Sequence, residues 1–333
     1  MPEDERLKNN LRSAAALIRK SRKIILACHL NPDGDAIGSM LGLGLALTKI
    51  KKSVTMLCAD PVPERYITLP GARTIKRSFH EKADLAISVD CGGMNQLSKI
   101  EDAFNKSKRI IEIDHHTYRT RFGDVQLIDV TSASVGEIVY LFLKKLEIPL
   151  DKKISECLLT SMLVETLSFS RQDVRMKTFE IMSEMMESGV NFRKISDRYY
   201  WRRRLSSVRL SGLALSHVKI VAHNQLAWSL VSKKDYVKFQ GKQEDVDSVA
   251  DDIMMIKDVK IAIFFREIDD NILRVSLRSR DDIDIGYLAS IYGGGGHDDV
   301  AGCRIHNNEK TIQKFILQAC NLIAYEKTRR AKK

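Results

Sequence analysis

The chain alternates short apolar runs with longer stretches whose apolar residues recur every three or four positions. In residues 7–20 (LKNNLRSAAALIRK), Leu7, Leu11, Ala14, Ala15 and Ile18 fall on one helical face. KIILA (23–27) then reads as a short buried strand that runs directly into His29-Leu-Asn-Pro-Asp-Gly-Asp35. AIGSMLGLGLALTKI (36–50) returns to helical spacing, with small residues suited to close packing on a sheet. SVTMLCA (53–59), DLAISVD (84–90) and KRIIEID (108–114) repeat the strand pattern. Short apolar strands alternating with helices predict an α/β fold with a mostly parallel sheet flanked by helices. Polar clusters in this half follow the strands, and the carboxyl edge of such a sheet is where ligands bind. Ser134 and Glu137 have the spacing of a capping box ahead of GEIVYLFLKKL (136–146).

From about residue 152 the pattern is helical, in KISECLLTSMLVETLSF (153–169) and RMKTFEIMSEMMESG (175–189), where Met182, Met185 and Met186 read as core filler. The helical stretch 192–216 contains YYWRRRLSSVRL (199–210). It reads either as an RNA-contacting helix with interleaved aromatics or as an exposed connector between domains. Strand patterns return in HVKIVAH (217–223), LAWSLVSK (226–233), KIAIFFREID (260–269) and ILRVSLRS (272–279), with helical spacing over 244–257 and 284–292. The expected organisation is a catalytic α/β domain over 1–190, a helical linker over 191–216 and a smaller α/β domain over 217–333.

Composition narrows the classes. A chain of 333 residues with 44% hydrophobic and 29% charged residues builds a core in each of two domains, which excludes disorder and collagen. No apolar run reaches the roughly 18–20 residues of a membrane span. MPEDERLKNN at the start is charged and lacks the apolar stretch of a secretory signal. The six cysteines show no CxxC pair, which suits reduced thiols and a cytoplasmic location. The net charge of +11 favours an anionic partner, although plain solubility explains it as well.

Five groups of residues carry candidate chemistry. His29, Asp33 and Asp35 offer one imidazole and two carboxylates within seven residues, a donor set for a cation of intermediate hardness such as Mn²⁺. The same string also reads as an Asn-Pro-Asp-Gly turn. Asp90, in SVDCGG, ends a strand; alone it reads equally as a turn or cap. Asp114-His115-His116 ends another, and adjacent histidines point different ways, so one could bind metal while the other meets substrate or a supporting carboxylate; alone the pair reads as incidental. Clusters at three successive strand ends converge on one edge, as in two-metal phosphoester sites. Glu165 lies in an apolar helical stretch, where burial is costly unless the charge is paired or metal-bound; a helix-surface Glu is the alternative. In GGGGHDDVAG (293–302), Gly293, Gly294, Gly295 and Gly296 free backbone N–H groups for an anion, and His297 follows. Arg278 reads as a bidentate phosphate grip or as an exposed strand residue.

Together HLNPDGDAIGS (29–39), SVDCGG (88–93), IDHH (113–116) and GGGGHDDVAG (293–302), in that order, resemble the DHH/DHHA1 phosphoesterase family. By size the branch is that of the nano-RNase/pAp phosphatases, the bifunctional oligoribonucleases. The resemblance implies an N-terminal DHH domain, a C-terminal DHHA1 domain and two Mn²⁺ per chain, with Mg²⁺ or Co²⁺ as substitutes. One ion would be held by His29, Asp33 and Asp90. The other would be held by Asp35, Asp90, His115 and the acidic residue at 165, with Asp90 bridging. Asp90 and His116 would be the catalytic residues, His116 assisting at the phosphate. Arg278, Gly293 to Gly296 and His297 would hold the substrate as the DHHA1 domain closes over the metals. The implied substrates are short single-stranded RNA of a few nucleotides and 3′-phosphoadenosine 5′-phosphate, hydrolysed in line by water without a covalent intermediate. The implied partners are that substrate and, from the family's habit of dimerising, a second copy of the chain; no membrane is implied.

The chain departs from the family in three places. Val164-Glu165-Thr166-Leu167 stands where the family shows Asp in a TDTG-like motif; Glu is one methylene longer and can still ligate. Arg119 replaces an Asn after the DHH triplet, and VAG replaces AAG after the glycines. Competing readings are a RecJ-like single-strand exonuclease, which carries a further nucleic-acid-binding domain, and a stand-alone phosphodiesterase for linear products of cyclic dinucleotides. A family II inorganic pyrophosphatase lacks the GGGGH domain. From a different class comes a nucleotide- or RNA-binding module without turnover.

Overall fold

The structure is a computed structural model that describes residues 3–171 and 173–331. The chain divides into two compact units, Met1–Arg202 and Arg203–Lys333. The division falls inside the basic stretch 199–210.

The N-terminal unit is built on five parallel strands: β1 (Lys23–Cys28), β2 (Ser53–Leu57), β3 (Leu85–Val89), β4 (Ile110–Asp114) and β5 (Val125–Ile128), in the order β2-β1-β3-β4-β5. Its helices are α1 (Glu3–Lys20), α2 (Gly34–Lys49), α3 (Glu101–Asn105), α4 (Val135–Lys145), α5 (Lys152–Glu165), α6 (Met176–Glu187) and α7 (Phe192–Ser196). Strand side chains alternate between two apolar cores. Ile24 and Leu26 join the helices on one face, while Ile25 and Ala27 face Leu97, Ile100 and Phe104 on the other. β5 has no counterpart in the sequence reading because VQLI is short and buries only Leu127 fully. At α4, Ser134 Oγ accepts from Glu137 N at 3.3 Å, but the Glu137 carboxylate reaches Ala133 N at 3.2 Å, so half of the capping box forms as the spacing predicts. Helices α2 and α5 meet backbone to backbone. A Cβ on Gly38 would fall 2.5 Å from the Cys157 carbonyl oxygen, so only glycine allows this approach.

The helical pattern over 192–216 breaks in two. After α7 comes a π-type turn, Asp197–Trp201, and the second helix is α8 (Leu205–Ser216). The arginines at the break serve tertiary pairs. Arg198 meets Glu156 at 3.2 Å, Arg204 meets Asp245 at 3.0 Å, and Arg203 donates to Ser207 Oγ at 3.0 Å. These contacts favour a structural reading of the basic stretch over an RNA-contacting one.

The C-terminal unit contains α8, β6 (Lys219–Val221), β7 (Leu226–Val231), α9 (Lys233–Lys238), α10 (Val249–Met254), β8 (Ile261–Glu267), β9 (Ile272–Ser279), α11 (Ile285–Ile291), β10 (Gly295–Gly296), β11 (Val300–His306) and α12 (Glu309–Ala331). Its sheet runs β10-β11-β9-β8-β7-β6, antiparallel except for the parallel pair β7/β8. Alternate residues of β8 feed two cores, Ile261, Ile263 and Phe265 on one face and Ala262 and Phe264 on the other. Among the described residues no helix is long and apolar enough to cross a membrane.

Candidate metal centre

The order of the first sheet reverses between β1 and β3, and it is at such a switch point that open α/β sheets bind ligands. Register does the rest. Cys28 pairs with Val89 and Val89 with Ile113, so His29, Asp90 and Asp114 stand side by side at the carboxyl edge. Asp90 takes a left-handed backbone, φ +59°, fixed by its N–H donating to Ile113 O at 2.9 Å. Such a conformation in a non-glycine residue is costly and concentrates at functional sites. In the loop after β1, Asp33 caps α2 by accepting from Ala36 N at 3.0 Å, which sets Asp35 in the first turn pointing inward.

Three sets of donor atoms in this unit each lie within 4.8 Å of one another: His29/Asp33/Asp90, Asp35/Asp90/His115 and Asp90/Asp114/His116. Asp90 is common to all three. His29 Nε2 is 3.5 Å from Asp90 Oδ2 and 3.9 Å from Asp33 Oδ1, and its Nδ1 lies 2.6 Å from Leu30 O, which turns Nε2 to the cluster. His115 Nε2 is 3.5 Å from Asp35 Oδ2, while its Nδ1 lies 3.0 Å from Ser132 O. Asp114 holds both histidines. Its Oδ1 accepts from His115 N at 2.8 Å and meets His116 Nδ1 at 2.8 Å. The sequence places Asp114 in the triplet but assigns it no role, although a strand-end Asp directly before paired histidines is a usable signal for an orienting carboxylate.

Asp35 is fully buried and heavily hydrogen-bonded. Its oxygens accept from Val135 N at 2.9 Å and Gly136 N at 3.4 Å in the first turn of α4, from Ser161 Oγ at 2.5 Å and from Ser39 Oγ at 3.1 Å. The electrostatics of the cluster are nevertheless under tension. Burial, and next the Asp90 charge, push the Asp35 carboxyl up to about 8. Burial works against a charged His116, but Asp114 outweighs it and raises His116 to about 10. His29 is likewise raised, the carboxylates of Asp33 and Asp90 overcoming its burial.

The donor set fits a divalent cation. Asp90 Oδ1 and Asp114 Oδ2 are buried and accept no hydrogen bond from the described residues. Buried carboxylate oxygens without a donor are expensive, and a cation supplies the missing interaction. Mixed imidazole and carboxylate donors suit first-row cations of intermediate hardness. Such ions hold ligands at about 2.0–2.2 Å, which sets the donors around one ion roughly 3–4 Å apart, the range of the 3.5 and 3.9 Å spacings seen here.

Glu165 stands outside these sets. It is the last residue of α5, and its Oε1 accepts from Arg171 Nη1 at 2.7 Å. Its charge still acts on Asp35, His115 and His116. Arg119 lies beside the cluster too, donating from Nη1 to His116 O at 2.6 Å.

In the C-terminal unit, Arg278 spreads its fork over Asp251, from Nε to Oδ1 and from Nη2 to Oδ2 at 3.2 Å. The glycine run joins α11 to the β10/β11 hairpin. Gly293 N and Gly294 N each donate at 3.0 Å to the end of α11, and Gly295 and Gly296 pair with Gly302 and Ala301 of β11. A Cβ on Gly294 would fall 2.1 Å from Gly302 O, so the hairpin requires glycine there. His297 N donates to Val300 O at 2.7 Å.

Comparison with known proteins follows the same division. Residues 23–162 match the N-terminal domain of the DHH family and residues 227–324 match the DHHA1 domain, together well over half of the chain. The bifunctional oligoribonuclease and PAP phosphatase NrnA of Thermus thermophilus is 26% identical over 293 residues, covering 85% of this chain and 84% of the relative. Its namesake from Bacillus subtilis is 26% identical over 295 residues, covering 85% of this chain and 90% of the relative. The crystal structure of an exopolyphosphatase-related protein from Bacteroides fragilis superimposes with a TM-score of 0.86 at 26% identity, covering 96% of this chain and 97% of that one.

Proposed function

The chain belongs to the DHH/DHHA1 family of phosphoesterases, and we propose that it hydrolyses short oligoribonucleotides to mononucleotides and 3′-phosphoadenosine 5′-phosphate to AMP. One observation carries this reading. Asp90, buried, left-handed and with an oxygen that accepts no hydrogen bond from the described residues, is shared by every donor set of the sheet edge.

In this reading His29, Asp33 and Asp90 hold one divalent cation, Mn²⁺ by preference, and Asp35, Asp90 and His115 hold a second. Bound there, the cations supply Lewis-acid polarisation of the phosphoryl oxygens and lower the pKa of the attacking water. The protein's own groups do the positioning. The α4 N–H groups and the Ser39 and Ser161 hydroxyls fix Asp35, and Asp114 fixes the His116 ring through Nδ1, which assigns substrate contact to Nε2. Hydrogen-bonded to Asp114, His116 would offset charge on the phosphate or pass a proton to the leaving oxygen. Arg278, the Gly293–Gly296 run and His297 are the substrate-binding residues of this reading, and Arg278 would exchange Asp251 for a substrate phosphate. The net charge of +11 draws anionic substrates in.

The test is incubation with Mn²⁺ and, in parallel, the dinucleotide pApA, a five-nucleotide RNA, a 24-nucleotide RNA and 3′-phosphoadenosine 5′-phosphate, with Asp90→Ala as control. Mononucleotide release from the short RNAs and AMP release from the bisphosphate, both lost in the variant, are expected. Preference for the long RNA would favour a processive exonuclease instead. No turnover of any substrate with Mn²⁺, Mg²⁺ or Co²⁺ would overturn the phosphoesterase reading.

A further inference from the structure

The chain replaces the aspartate that its resemblance expects at position 165 with the longer Glu165, and the surrounding turn gives that residue a protein partner. Thr166 closes α5, with its N–H donating to Met162 O at 3.1 Å and its Oγ1 to the same carbonyl at 2.6 Å. The next three residues, Leu167, Ser168 and Phe169, all take left-handed backbones, with φ of +47°, +62° and +65°. Three such non-glycine residues in a row are strained, and hydrogen bonds hold them there. Ser168 N donates to Leu163 O at 2.9 Å, Phe169 N to Thr166 Oγ1 at 2.9 Å and Arg171 N to Thr166 O at 3.2 Å. The tight turn returns Arg171 onto the helix end it has just left. Its guanidinium, almost wholly buried, donates from Nη1 to Glu165 Oε1 at 2.7 Å and to Glu165 O at 3.4 Å, and Nη2 lies 3.5 Å from Asp173. A charge-assisted pair of this kind, held from two sides by a rigid turn, is not surrendered easily.

We propose that Arg171 is a positioning residue that pins Glu165 by its carboxylate and withholds it from the cation held by Asp35, Asp90 and His115, so that this second ion has three protein donors and binds more weakly than the first. The inference rests on reading the cluster as a divalent-cation centre. Asp35 adds to the asymmetry, because its oxygens already accept four hydrogen bonds from protein. In the His29/Asp33/Asp90 set the carboxylates accept fewer such bonds from the described residues: Asp33 accepts from Ala36 N, and Asp90 Oδ1 accepts none. The second ion is therefore the exchangeable one, and its occupancy follows cation concentration.

The experiment is a Mn²⁺ titration of the metal-stripped full chain, with free ion read by electron paramagnetic resonance. It compares wild type, Arg171→Met and the double variant Arg171→Gln/Glu165→Gln. The double variant removes one charge of each sign, so long-range electrostatics stay balanced while the carboxylate is lost. We expect wild type to bind one ion about tenfold or more tightly than the second, within the range that neighbouring groups impose on metal affinity. Arg171→Met frees Glu165 and should tighten the weaker ion by about tenfold, while the double variant should keep both affinities within about threefold of wild type. Loss of the second ion in the double variant would mean that Glu165 already ligates, which overturns the inference; so would two equal tight sites in wild type, or an unchanged second site in Arg171→Met. If Arg171→Met does not fold, the double variant decides. If wild type binds no Mn²⁺ at all, the cation-centre reading falls and this inference with it, an outcome distinct from the others.

Discussion

At the carboxyl edge of the N-terminal sheet, Asp33, Asp35, Asp90 and Asp114 crowd against three imidazoles, and two buried carboxylate oxygens find no donor among the described residues. In the C-terminal unit, Arg278 is matched by Asp251, and Gly293 and Gly294 donate their N–H groups to the end of α11. Both regions hold ionisable groups in partly or fully buried places, yet in one buried carboxylate oxygens lack a donor and in the other the guanidinium has its carboxylate. Physical incompleteness marks the place that a ligand has to finish. A satisfied network marks a scaffold, or a site that has to open before it binds.

That contrast can be broken most forcefully at Asp90. Asp90→Ala removes a donor from every set, and losing several kcal/mol of cation-derived stabilisation should lower kcat by about 10³-fold or more, read in the short-RNA assay. Next comes the cation itself. Saturating Mn²⁺ should stabilise the protein by ~2.7 kcal/mol at a hundredfold excess over Kd, a rise in Tm seen by calorimetry and abolished by chelator. In the C-terminal region, Gly294→Ala puts a Cβ 2.1 Å from Gly302 O and should destabilise the unit by about 1–3 kcal/mol in urea unfolding. The smallest effects should have opposite signs. Asp251→Asn leaves Arg278 with a neutral partner and should cost about 1 kcal/mol, discounted for partial exposure. Asp90→Asn relieves like-charge crowding, keeps a residue that tolerates a left-handed backbone, and should raise the stability of the metal-free protein by about 1 kcal/mol. If both asparagine variants shift unfolding in the same direction, the contrast between the two regions fails.

Much of this was legible in the chain. The short apolar runs located β1 to β4, and the strand ends carried His29, Asp90, Asp114, His115 and His116 in readable order. Where reading failed, a local signal was missing or misleading. VQLI was too short to announce β5. The continuous helical spacing over 192–216 hid a break made by arginines that pair with residues as distant as Glu156 and Asp245. The four glycines read as an anion cradle, and no local signal announced that close approach of β11 also demands glycine at 294 or that Gly295 and Gly296 form a hairpin strand.

The sequence by itself determined which donors the protein has and on which strand ends they sit, because strand period and loop chemistry are local properties. Only the tertiary structure decided which charges remain unanswered. Asp35 meets the N-terminus of a helix 100 residues away, Arg278 meets Asp251, and a left-handed turn sends Arg171 back to Glu165. Such pairings depend on where distant backbones cross, and no periodicity along the chain records that.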